Sequence, residues 1–137
     1  MDRFITLMHD KPLVFVHLLA ALGALLLGIA ILTRRKGTFS HRTFGWSWVV
    51  LMTIAAASSV FIRDYRLPNI AGYTPVHLLT VTVAVLLPLA IWRIRRGNVS
   101  GHRRMMTGLY IGGCIVAGLF ALAPARFLGR AAAGLFV

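Results

Sequence analysis

Four stretches of the chain, Leu13 to Thr33, Phe44 to Ile62, Val76 to Trp92 and Met105 to about Ala125, are almost free of charge and are cut from one another by basic residues. Each approaches the roughly 20 residues that cross about 30 Å of hydrocarbon. Lipid offers no partner to an open backbone, and none of the stretches alternates as a barrel strand does, so each is expected to be a helix. The expected fold is all-α: a single integral membrane domain over residues 1–137, forming a four-helix transmembrane bundle. The first stretch runs straight into Thr33-Arg34-Arg35-Lys36 with no small-residue cleavage site, so it reads as a retained helix and not as a signal peptide.

Charge confirms this class against its rivals. Only 13% of the residues are charged, where a soluble domain carries about 25%. The net charge of +12 raises a nucleic-acid reading, but the basic residues form no patch on a polar surface. Arg34, Arg35, Lys36 and Arg42 fall in one connection and Arg93, Arg95, Arg96, Arg103 and Arg104 in another. That distribution marks cytoplasmic loops in a bilayer and excludes nucleic acid as the partner. Both termini and the loop from Arg63 to Thr74 are then expected outside, with the apolar tail from Ala131 to Val137 lying in the interface. Cys114 is the only cysteine, so neither an internal disulfide nor a covalent haem attachment can form.

A shift of 60 residues lays the stretch from His17 over the stretch from His77. HLLAALGALLLGIAILTRRKGTFS-HR then matches HLLTVTVAVLLPLAIWRIRRGNVSGHR at about half of its positions, with Gly101 as the one inserted residue. Leucine matches are cheap in membrane spans, but the paired His, Arg, Gly, Ser and His-Arg positions are not. The chain is expected to be two tandem helical hairpins, halves of about 13–62 and 75–125, related by a pseudo-twofold along the membrane normal. Ser40 and Ser100 are the expected N-caps of the second and fourth helices.

The repeat sorts the histidines into two pairs. His17 and His77 fall near the outer ends of their helices, and His41 and His102 at the cytoplasmic starts of theirs. Sixteen residues from His17 to Thr33 span about 24 Å of helix, which sets the pairs near opposite faces. His9, beside Asp10, is expected to be solvated. An ionisable group inside a span is a site candidate by default. Two neutral imidazoles on facing helices suit the axial positions of a haem b, one haem at His17 and His77 and a second at His41 and His102 unless that inner pair, each followed by Arg at a helix start, is solvated or meets lipid headgroups. The same pair equally suits a structural role, bonding backbone or Ser58, Ser59, Thr74 and Thr80 across the bundle. Zinc fits less well, since it normally wants four ligands and neither pair has an acidic or cysteine companion.

The surroundings divide the same way. Arg42 and Arg103, beside the inner pair, could hold haem propionates, as could Arg63 and Arg66 near His77; topology marking explains them too. Ala20, Ala21, Ala24 and Gly28 on the His17 face make room for a flat macrocycle or for a close helix contact. Trp46, Trp48, Trp92, Tyr65, Tyr73 and Tyr110 fall near span ends, as an interfacial belt does. Gly108, Gly112, Gly113 and Gly118 suggest close packing of the fourth span, and Pro88 a kink in the third. No hydrolase or nucleotide motif is present, and Asp2, Asp10 and Asp64 are the only acids, which disfavours a proton-coupled transporter.

HRTFGW opening the second stretch, SSVFIR closing it, TPVHLLTV opening the third and APARFLGR after the fourth resemble the predicted membrane proteins of the domain-of-unknown-function 2306 family, over about Val14 to Arg130. The resemblance implies a four-helix bacterial protein of the inner membrane and no particular activity. The architecture is also similar to small di-haem b membrane cytochromes. The leading expectation is a haem-b-binding electron-transfer protein with His17, His77, His41 and His102 as ligands and a redox partner in or at the membrane. The alternative is a non-catalytic subunit of a larger membrane complex, with structural histidines.

Overall fold

A computed structural model describes residues 9, 11–63, 70 and 77–122, and among these every element is a helix. Helix α1 covers Pro12–Thr33, α2 Phe39–Phe61, α3 His77–Arg95 and α4 Val99–Ala121, and each is long and apolar enough to cross a membrane. Only 17–22% of each span's most apolar stretch is buried inside the protein. Leu19, Leu22, Leu26 and Ile29 form an exposed leucine-rich stripe along α1, with Leu26 at 66%. Four helices exposing this much hydrocarbon surface are stable in lipid, not in water.

Two short turns of one design join the helices at the Arg-rich end. Each has a glycine at positive φ, Gly37 at 81° and Gly97 at 76°, a conformation that side chains with a Cβ resist. The next residue caps the following helix: Thr38 Oγ1 accepts from His41 N at 3.2 Å, and Asn98 Oδ1 from Gly101 N at 2.8 Å. The N-caps are therefore Thr38 and Asn98, two residues before the expected Ser40 and Ser100. Because the caps sit earlier, α2 begins five residues and α4 six residues before the apolar stretches do.

Hydroxyls inside the spans are satisfied locally. Thr43, Ser47 and Thr53 donate to the carbonyls of Phe39, Thr43 and Val49 at 3.1, 3.1 and 2.8 Å, which lets a Ser- and Thr-bearing helix enter hydrocarbon.

Successive helices pack side by side, α1 on α2, α2 on α3 and α3 on α4. The ring closes through a π-helical segment of α4, Ile111–Val116, which touches both α1 and α3. Helices α1 and α3 thus face each other across the bundle diagonal. In lipid, van der Waals fit and hydrogen bonds hold such a bundle, because burial from hydrocarbon gains little. The core consists of Ala24, Trp48, Met52, Val83, Leu87, Leu109, Tyr110 and Cys114.

Two aromatic side chains pin α1. Trp48 Nε1–H donates to Ala24 O at 2.9 Å, and Tyr110 O–H donates to Leu25 O at 3.2 Å. The rings are seated because α1 is smooth there: a Cβ on Gly28 would stand 2.2 Å from Tyr110 Cε2. Of the two uses expected for the small residues of α1, Ala24 and Gly28 therefore serve the close helix contact. Trp48 and Tyr110 belong to this core, at 2% and 7% exposure, and not to an interfacial belt. Trp46 and Trp92 remain exposed, as a belt requires. Trp48→Phe keeps most of the ring and loses the N–H, so we expect a cost of about 1 kcal/mol in a detergent unfolding titration. An unchanged midpoint would remove the Ala24 bond from the stabilising set.

The glycines of α4 behave differently from expectation. Gly113 approaches Met52 closely, with a built Cβ 2.8 Å from Met52 Cε, whereas Gly108, Gly112 and Gly118 have nothing within 4 Å. Cys114 Sγ lies 3.6 Å from Met52 Sδ in the same layer. Pro88 lies inside α3.

Candidate functional site

His17 sits in the second turn of α1, at the end of the bundle away from the Arg-rich turns. Its Nδ1 lies 2.9 Å from Ala55 O and 3.0 Å from Ser58 Oγ, both on α2. A carbonyl can only accept, so Nδ1 carries the proton and the lone pair of the neutral ring is on Nε2. Ser58, 6% exposed, gives its own proton to the Ile54 carbonyl at 2.7 Å and turns lone-pair density toward His17. Small residues allow this approach: Ala55 is buried on α2, and Ala20 is buried one turn along α1.

His77 opens α3 and lies within electrostatic reach of His17. Its Nε2–H donates to Ile62 O at 3.0 Å, the carbonyl where α2 ends and the helical ladder supplies no partner. A second link joins the same two helices, Ser59 Oγ to Thr80 Oγ1 at 2.7 Å.

At the Arg-rich end His41 and His102 are likewise within electrostatic reach of one another. His102 Nδ1–H donates to Ala90 O on α3 at 2.9 Å, leaving the lone pair on Nε2 as in His17. His41 Nδ1 is buried and has no partner. His17 and His77 thus lie at one end of the bundle, and His41 and His102 at the other. His9 is exposed.

The expected arginines of the inner pair face outward. Arg42 is exposed and donates to Gly37 O at 3.4 Å, and Arg103 is exposed. Arg66, Tyr65, Tyr73, Thr74 and the tail from Ala131 lie outside the described residues. One residue not singled out from the sequence is Arg93, whose Nε is buried without a partner.

The donor set can be tested against a haem. Haem iron needs two protein ligands, and a ligating histidine characteristically gives its other ring N–H to a carbonyl, which orients the ring and raises its basicity. His17 and His102 have this arrangement on Ala55 and Ala90. His77 fits only after its ring leaves Ile62 O, if Nε2 is to be the ligand. Among the described residues no three His, Cys, Asp or Glu side chains gather.

Four lipid-facing helices carrying a histidine pair toward each end define a small polytopic membrane protein. The chain belongs to the DUF2306 family of predicted membrane proteins, whose family model matches residues 14–132. No curated protein and no solved structure matches it.

Proposed function

We propose that this protein binds haem b through its histidine pairs and passes electrons between the two faces of a bacterial inner membrane. In this reading the Arg-rich turns face the cytoplasm and both termini lie outside. The observation that carries it is the anchored His17 ring, whose Nδ1–H on Ala55 O and Ser58 Oγ commits the Nε2 lone pair to ligation. The haem, when bound, supplies one-electron chemistry. The chain holds two imidazoles per site, orients His17, His77 and His102 through backbone carbonyls, and keeps water from the interval between the sites with the Trp48, Met52, Leu87 and Tyr110 layer. His17 and His77 form the outer site, and His41 and His102 the inner one. A redox partner at either face would complete the path.

A second reading, a structural subunit of a larger membrane complex, is favoured by one observation. Gly108, Gly112 and Gly118 offer a smooth, open surface on α4 of the kind that another helix packs against. A reduced-minus-oxidised spectrum of detergent-purified protein, with a pyridine haemochrome assay, separates the two. The haem reading expects a b-type spectrum and about two haems per chain. A colourless, folded protein after expression with added haem overturns it in favour of the subunit.

A further inference from the structure

Neither connection at the Arg-rich end, 34–42 or 93–104, contains an Asp or Glu. Topology accounts for the sign of this charge and not for its arrangement. Arg34 and Arg96 lie back on the rings of Phe44 and Trp92, at 4.5 and 5.3 Å, while Lys36 and Arg42 donate to the carbonyls of Leu32 and Gly37. Arg35, Arg95, Arg103 and Arg104 are exposed, and among the described residues no hydrogen bond or ring contact engages their side chains.

Two apolar side chains stand at the same end. Phe39 and Val99 are the first residues of α2 and α4, each directly after its cap, and they are 84% and 60% exposed. Lipid tails do not account for this exposure. Phe39 precedes Phe44, where the apolar stretch of α2 begins, by five residues, and Val99 precedes Met105 by six. At 1.5 Å per residue they stand about 7.5 and 9 Å outside the hydrocarbon, on the water side of Arg42 and Arg103, where the headgroup layer is only about 5–7 Å deep. The exposed Trp46 marks the belt on α2, and Phe39 lies about two turns outside it.

We propose that the Arg-rich end is a docking face for an acidic protein, with Phe39 and Val99 as its apolar anchors and Arg35, Arg95, Arg103 and Arg104 pairing with carboxylates of the partner. Arginine and aromatic side chains are the usual anchors of protein interfaces. Glycines at positive φ and the cap bonds fix both turns, so the face is formed before a partner arrives. A second copy of this chain does not fit, because it would set like charge against like. The face does not depend on the haem reading.

The test begins with depth, in the full-length protein. Spin labels on Phe39→Cys and Leu26→Cys in phosphatidylcholine vesicles report access to a water-soluble nickel complex or to oxygen dissolved in hydrocarbon; Cys114 is buried and stays unlabelled. Position 39 should be reached by nickel and position 26 by oxygen, and oxygen access at both would overturn the proposal in favour of lipid cover. In cells that make the chain natively, a photo-reactive phenylalanine at position 39 or 99 should form an adduct with an acidic protein, and at position 26 should not. That protein, identified by mass spectrometry and purified, should bind wild type in phosphatidylcholine nanodiscs and bind F39A and R35Q/R95Q about tenfold more weakly, the latter with a shallower salt dependence. All three side chains are exposed, so these variants keep the core. K11Q, an exposed cation at the other end of α1, should change binding less than about twofold. Adducts with lipid or a second copy alone, a partner without net negative charge, or equal losses in K11Q and R35Q/R95Q would each overturn the proposal.

Discussion

A His17→Ala protein is expected to lose one haem completely while keeping the other, so that the pyridine haemochrome count falls from about two per chain to about one. The loss should be total because, among the described residues, the His17 ring bonds only Ala55 O and Ser58 Oγ, and that hydroxyl is already engaged with the Ile54 and Ala55 carbonyls. His102→Ala should remove the other haem and spare the first. Ser58→Ala should leave the count unchanged and shift the outer midpoint potential, since Ala55 O alone still orients the ring. Unchanged haem content in both histidine variants would defeat the ligand assignment. His77→Ala has a second effect, because it uncaps Ile62 O and should also lower stability.

Gly28→Ala is expected to be the most damaging single methyl that can be added to this bundle, at about 3 kcal/mol, the upper end of the usual range for overpacking. The new carbon would stand 2.2 and 2.4 Å from ring carbons of Tyr110 and 3.2 Å from Trp48 Nε1. A flexible side-chain tip could move aside, but this ring is tied by its hydroxyl to Leu25 O at 3.2 Å and the indole by its N–H to Ala24 O at 2.9 Å. Relief means breaking one of these bonds or pushing α1 away from α4. Unfolding in mixed detergent micelles reads the cost. Tyr110→Ala in the same chain should make the added methyl nearly neutral, and strictly additive losses would show that the clash is not the cause.

Much of this fold is visible in the sequence because lipid imposes so few options. An uncharged run of about 20 residues has to be a helix, and basic connections mark where it ends. That His17 and His77 share one end of the bundle and His41 and His102 the other is visible too, because each lies near the same end of its apolar stretch. The roles of Trp48 and Tyr110 are misread for one physical reason. Helices α2 and α4 start at Phe39 and Val99, drawing their Arg-bearing first turns into the helix, so Trp48 lies nine residues in and Tyr110 eleven. Counted from the apolar stretches alone they lie four and five residues in, at belt depth. The nitrogen that each histidine commits to a carbonyl cannot be read at all from spacing. It depends on how far each helix is rotated about its axis, which is set by packing around Gly28 and Gly113.

The π-helical segment Ile111–Val116 gives α4 a phase shift. A π turn amounts to about one extra residue in an α-helix, and one residue is worth about 100° of rotation. The part of α4 before the segment buries Leu109 and Tyr110, while Ala117–Ala121 buries nothing. Angular setting at the two ends of α4 is therefore decoupled. Removing one residue within the segment would let the helix run on as a continuous α-helix whose last turns keep their bearing, leaving His102 and the pinned Tyr110 where they are. Length variation of a single residue, which would misalign every side chain downstream in α1 or α2, has in α4 a place built to absorb it.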